Sequence, residues 1–143
     1  MTRFSLCLAT VLVALTACTP SAATRNDPAS PEQTVALAWQ QAADVDGLSV
    51  QFVGYRDNRC PADVTCVWAG DAHAFVWVSG PGMEPHVVSL PWNGGGAQRP
   101  QDAARVGTYT LWLETLEPRP RSNGTVSAGD YRVVLKVGGV AAK

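Results

Sequence analysis

Cys60 and Cys66 are the residues of this 143-residue chain whose type and spacing first suggest chemistry, with Pro61 stiffening the start of the segment between them. A dithiol that exchanges electrons favours the tighter Cys-x-x-Cys, so five intervening residues read first as a structural staple, then as a closed binding loop, and last as a redox pair. Closing a loop of about seven residues contributes roughly 2 kcal/mol in the chain-entropy model. His73, Met83 and His86 form a second set. Two histidines on neighbouring strands with a methionine in the turn between them would suit Cu(I), but the spacing is not that of a closed site and no metal is assigned. Asp57 and Asp71 can be drawn as an acid/base pair, yet no cleft is legible around them. Neither Gly-x-Ser-x-Gly nor His-Glu-x-x-His occurs.

The N-terminus carries the most specific signal. Arg3 precedes an apolar run over residues 4–15, too short to span a bilayer as a helix. The run ends in Leu15-Thr16-Ala17-Cys18, which resembles the lipobox of bacterial lipoproteins. That resemblance implies lipid transfer to Cys18, cleavage before it and stable anchoring through several acyl chains. Thr19, where an aspartate would retain the protein at the inner membrane, implies the outer membrane in a diderm cell. Cys7 then leaves with the signal and Cys18 takes lipid. Cys60 and Cys66 remain to pair in an oxidising compartment, so the mature chain has no free thiol.

Removing residues 1–17 leaves 10 basic and 12 acidic groups, a net of −2, and no basic cluster that would track nucleic acid. Residues 19–31 are small, polar and proline-containing, a tether reaching up to roughly 40 Å. The organisation expected is a signal peptide over 1–17, a lipidated cysteine and tether over 18–31, a folded domain over 32–138 and a tail over 139–143.

Within that domain the period is that of strands. Leu48, Val50 and Phe52 alternate with Ser49, Gln51 and Val53; Tyr109, Leu111 and Leu113 form another inward row, and Val133, Leu135 and Val137 a third. Residues 34–39 fit a strand or a helical turn, and residues 40–43 tolerate helix. Residues 66–69 read as a short strand. Residues 72–78 are apolar on both faces, with Phe75 and Trp77 on one, which suggests a strand packed on two sides or one face turned to a partner. Pro118 and Pro120 place their segment at a sheet edge or outside it. Ser122-Asn123-Gly124-Thr125 has the chemistry of a two-residue hairpin. About seven short strands at roughly ten-residue spacing predict an all-β antiparallel sandwich of immunoglobulin-like size with one disulfide. Most of the five tryptophans are expected in its core. Trp92 is the exception, beside Pro91 at a glycine-rich loop, and Trp112 falls opposite the inward row.

The segment Asp57-Asn58-Arg59-Cys60-Pro61, four residues, Cys66-Val67-Trp68-Ala69-Gly70 resembles the Asp-Ser-Arg-Cys-Pro-x4-Cys-x-Trp-Ala-Gly motif of an uncharacterised family of small secreted bacterial proteins, often lipoproteins. The likeness extends from the Gly47 to Phe52 run to Pro118-Arg119-Pro120 and Tyr131-Arg132. Asn58 stands where that family usually has serine, a change another turn-forming side chain absorbs. The resemblance implies export and a small β domain, and carries no activity with it.

The function expected is therefore that of a non-enzymatic binding module, without cofactor. It is held to the membrane through Cys18 and meets a protein or glycan partner in the envelope through Asp57, Arg59, Trp92 and Asn93. The rivals are an envelope hydrolase of low sequence visibility and a copper-handling protein.

Overall fold

The computed structural model describes residues 31–94 and 99–139. Eight strands form two antiparallel sheets. They are β1 (Gln33–Ala38), β2 (Ala42–Val45), β3 (Leu48–Asp57), β4 (Ala72–Ser79), β5 (His86–Pro91), β6 (Ala104–Val106), β7 (Tyr109–Glu117) and β8 (Arg132–Gly139). One sheet runs β1-β8-β7-β6 and the other β2-β3-β4-β5. Apart from the β1–β8 ladder, every ladder joins strands adjacent in sequence, so each sheet is a meander. The sheets also touch along the β1/β2 and β5/β6 seams.

The first segment is resolved as strand. Gln33 to Ala38 pairs residue by residue with β8, because Val35 and Leu37 point at the core while Thr34 and Ala36 face out. Gln40 has a positive φ of 60° and ends the strand, and the Gln41 N–H donates to the Ala38 carbonyl at 3.0 Å. The chain then joins the other sheet as β2, so residues 40–43 form no helix. Two further expectations are corrected. Residues 66–69 are not a strand; a 3-10 turn (Pro100–Asp102) and β6 lead into β7. The turn at 122–125 joins no strands; a lone bridge between Arg121 and Gly124 centres it on Ser122 and Asn123.

The core lies between the sheets. Leu48, Val50, Phe52, Val76, Val78 and Leu90 from one side meet Leu111, Leu113, Leu116, Val133 and Leu135 from the other, each at most 2% exposed. The alternation that places them is interrupted twice. In β3 the register shifts between Phe52 and Gly54, and in β7 between Leu113 and Thr115. Each bulge inserts one unpaired residue, and because side chains alternate with period two, everything beyond it changes face. Beyond Glu114 this brings Leu116 inward. Beyond Val53 it turns Tyr55 and Asp57 inward beside Ala74 and Ala72.

No tryptophan is in the buried core. Trp39, Trp92 and Trp112 are half-buried, while Trp68 and Trp77 are exposed. The tryptophan rings sit on rims and outer faces because the interior between two short sheets is filled by aliphatic side chains, Phe52 and Tyr131.

Candidate functional site

The β3 ladder continues past Asp57 into the stapled corner. Asn58 N–H donates to the Asp71 carbonyl and Cys60 N–H to the Ala69 carbonyl, each at 2.8 Å. The parity set by the Val53 bulge therefore carries on, and Arg59 also turns inward, to 3% exposure. Its guanidinium meets the Asp57 carboxylate with two prongs, Nε to Oδ1 at 2.8 Å and Nη2 to Oδ2 at 2.7 Å. Nη1 donates to the Leu116 carbonyl at 2.7 Å and Nη2 to the Pro118 carbonyl at 3.0 Å. The guanidinium carbon lies 5.4 Å from the centre of the Trp92 ring, within cation–π range. Tyr131 Oη also donates to Asp57 Oδ2, at 3.1 Å, and its ring stacks on Tyr55 at 3.9 Å. Burial pushes the Asp57 carboxyl up, but hydrogen bonds and charge from Arg59, with the Tyr131 hydroxyl, outweigh it and hold the group below the usual carboxylate range. The same burial and the Asp57 charge push the Tyr131 phenol well above its ordinary value.

Above this plug sits the corner itself, where Cys60 and Cys66 form a disulfide as expected. Gly70 makes the return possible. Its φ is +79°, and a Cβ there would lie 2.1 Å from the Asn58 carbonyl oxygen. The segment after β7 clamps the loop from the other side. Ala62 N–H donates to the Pro120 carbonyl at 2.9 Å, Arg119 Nη2 to the Cys60 carbonyl at 2.9 Å, and Ser122 N and Oγ to the Asp63 carboxylate at 2.9 and 2.5 Å. These bonds from Ser122 draw the Asp63 carboxyl below its ordinary value.

The clamped loop turns apolar groups outward. Trp68 is 65% exposed, Val64 44%, and Val67 is open to solvent on all sides. A second apolar row lies on the outer face of the β2–β5 sheet, where Trp77 and Val87 are cross-strand neighbours and Phe75 lies against the bare backbone of Gly54.

No family model, no curated protein and no solved structure matches the chain. The corner's chemistry therefore has to be read from its own geometry.

Of the residues expected to form an exposed binding surface, Asp57 and Arg59 do not: they are spent on each other inside the domain, at 2% and 1% side-chain exposure. Trp92 is half-buried, bonded through its backbone N–H to the Ala72 carbonyl and covered by Arg59. Asn93 follows it and is half-buried too. The soft-metal set does not converge. His73 pairs with Pro91 and His86 with Val78, so five residues of strand, about 17 Å, separate the histidines, and the pleat puts them on opposite faces. His73 Nδ1 lies 3.0 Å from Ser89 Oγ and His86 Nδ1 2.8 Å from the Glu84 carbonyl. The carboxylates Asp57 and Asp71 are divided, each held by its own arginine; Arg56 Nη2 meets Asp71 Oδ2 at 2.5 Å on the surface. Cys18, the residue expected to carry lipid, lies outside the described residues.

The polar groups of the corner are engaged with one another, Arg59 with Asp57 and Ser122 with Asp63. What it offers is a rigid apolar tip of Val64, Val67 and Trp68, the last of them one of the tryptophans expected in the core. The one sequence signal for the tip was negative: Thr65, Ala69 and Gly70 around these residues continue no apolar row.

Proposed function

We propose that this protein is a lipid-anchored, non-enzymatic binding module of the bacterial envelope that presents its stapled corner to a protein partner. The observation that carries the reading is the exposure of Val67 and Trp68 on a loop closed by a disulfide and held by Asp63–Ser122. Apolar groups in water on a floppy loop would lose side-chain and backbone freedom when bound. Here that ordering is done in advance, so contact with a complementary groove costs little beyond rigid-body entropy. Tryptophan supplies the largest apolar area per ordered side chain and is enriched among residues that dominate interfaces. Arg119, Arg121 and Asp63 stand beside the tip as a polar rim. Lipid on Cys18 and the tether over 19–31 account for the setting, and an exported chain is where a Cys60–Cys66 bond persists.

The test is crosslinking in cells that express the full chain with a photoreactive residue in place of Val67. The expected result is one dominant adduct, lost when Trp68→Ala is added and kept when Trp77→Ala is added. An adduct pattern indifferent to Trp68→Ala would refute the corner as the binding surface.

A further inference from the structure

On the outer face of the other sheet, near the start of β7, a cavity of about 320 Å³ is lined by Glu32, Pro100, Ala103, Arg105, Thr110 and Trp112. Arg105 and Thr110 are cross-strand partners, and Thr110 in turn pairs with Gly138 on β8. Gly138 shapes the wall. A Cβ there would stand 3.4 Å from the benzenoid end of the Trp112 indole, so the absence of a side chain lets the ring settle onto the sheet. Lys136, the cross-strand partner of Trp112, lies 3.9 Å from Glu32 and 3.6 Å from Glu114. Arg105 has no carboxylate within 4.0 Å among the described residues.

We propose that this cavity is a binding site for one ring of a neutral saccharide. Three features select that ligand class. The indole gives an apolar wall of the kind the C–H face of a sugar ring covers. The surrounding charges, Arg105 and Lys136 against Glu32 and Glu114, cancel, so neither an anion such as a phosphate nor a cation is favoured. The guanidinium only donates, the carboxylate only accepts and the Thr110 hydroxyl does both; a ligand bearing several hydroxyls answers all three. The cavity is at the small end of the range for ligand sites and open on one side, which fits a single ring of a longer chain and not a fused or drug-sized ligand. This site is separate from the stapled corner, which contacts the opposite end of β7 at Leu116.

The experiment is a titration of the detergent-solubilised full chain, followed through the Trp112 indole N–H resonance, with cellotriose, maltotriose and chitotriose. Galacturonate trimer serves as the anionic comparison. The expected result is a shift of that resonance with at least one neutral trimer, weakened about tenfold or more by Trp112→Ala and severalfold by Arg105→Ala or Glu32→Gln, while Trp68→Ala leaves it unchanged. Arg105 is exposed, so its variant reports on binding even where Trp112→Ala perturbs the sheet. No shift with any neutral trimer at about 10 mM overturns the proposal. So does affinity undiminished in Arg105→Ala, or tighter binding of the galacturonate trimer than of every neutral one.

Discussion

Arg59 and Asp57 are two residues apart in sequence and form a two-pronged ion pair, at 2.8 and 2.7 Å, with both side chains almost wholly withdrawn from water. Four hydrogen bonds and a tryptophan face engage the guanidinium, and the pair ties β3 to the end of β7 and the start of β8. Such a pair need not be more stabilising than an apolar plug of equal volume, but half of it is costly, because the remaining charge stays buried and unanswered. Asp57→Asn should therefore lower unfolding free energy by about 3–5 kcal/mol. Arg59→Met paired with Asp57→Leu should recover a large part of that loss. Urea denaturation of the single and double variants reads this directly.

The pH dependence follows from the same cluster. The Asp57 carboxyl is held below its ordinary value in the folded state, so the unfolded chain takes up its proton first as pH falls. The stability it contributes is complete above the unfolded carboxylate value of about 4 and is lost as pH drops through the lower folded value. Tyr131 acts at the other end. Its phenol is raised, so its contribution is intact below about pH 10 and is lost as pH climbs beyond that toward the folded value. Urea midpoints measured from pH 2 to 11 should show both limbs, with the alkaline one shallower in Tyr131→Phe and the acid one shallower in Asp57→Asn.

Much of the fold could be read in the chain and the corner's orientation could not, for a physical reason. Rows such as Leu48-Val50-Phe52 and Val133-Leu135-Val137 announce strands because period two leaves one face apolar. Extending the first row by the same period puts Gly54, Arg56 and Asn58 inside and leaves Asp57 and Arg59 in water. The bulge at Val53 reverses this, and nothing in Phe52-Val53-Gly54-Tyr55 separates a bulge from a regular strand except the glycine. The tip was hidden for a related reason. Trp68 stands two residues after Cys66, which in a strand would share its face, but residues 66–69 are not strand and the indole points outward.

Those tryptophan positions give a contrast. Trp68→Ala and Trp77→Ala remove exposed rings and should each change stability by no more than about 0.5 kcal/mol. Trp39 differs: it packs edge-on against Phe52 at 5.4 Å and Tyr55 at 5.7 Å, sealing one end of the core. Trp39→Ala should cost about 3 kcal/mol, towards the low end for a large aromatic because the ring is only half-buried. Melting temperatures of the three variants are sufficient to separate them.

Gly70→Ala is the substitution expected to damage the corner most for the fewest atoms. The residue sits at φ +79°, where a β-carbon is disfavoured, and the added methyl would have to occupy space 2.1 Å from the Asn58 carbonyl oxygen and 2.7 Å from the Arg59 Cα. Both are backbone atoms of the strand extension that buries Arg59, so relief requires the Asn58–Asp71 and Cys60–Ala69 hydrogen bonds to open. A loss of at least about 2 kcal/mol is expected, against about 1 kcal/mol for Gly82→Ala, which has open space around it. Gly82 also has positive φ, so its residual cost isolates the dihedral contribution from the steric one.

The disulfide and the clamp make separable contributions. Replacing Cys60 and Cys66 by alanine frees a short loop in the unfolded chain and should lower stability by about 2 kcal/mol, the chain-entropy value for that loop length. It should not release the tip. Ala62 remains bonded to Pro120, Asp63 to Ser122 and the Cys60 carbonyl to Arg119, and none of these bonds uses sulfur. Hydrogen exchange at the Ser122 and Ala62 amides should stay protected in the double-alanine variant up to its reduced global stability, whereas Asp63→Ala should speed exchange at Ser122 with the disulfide intact. Adding the two changes together should leave residues 61–67 without either restraint, so the crosslink from position 67 should weaken most in the triple variant. A crosslink of undiminished yield there would mean that rigidity of the corner contributes nothing to binding.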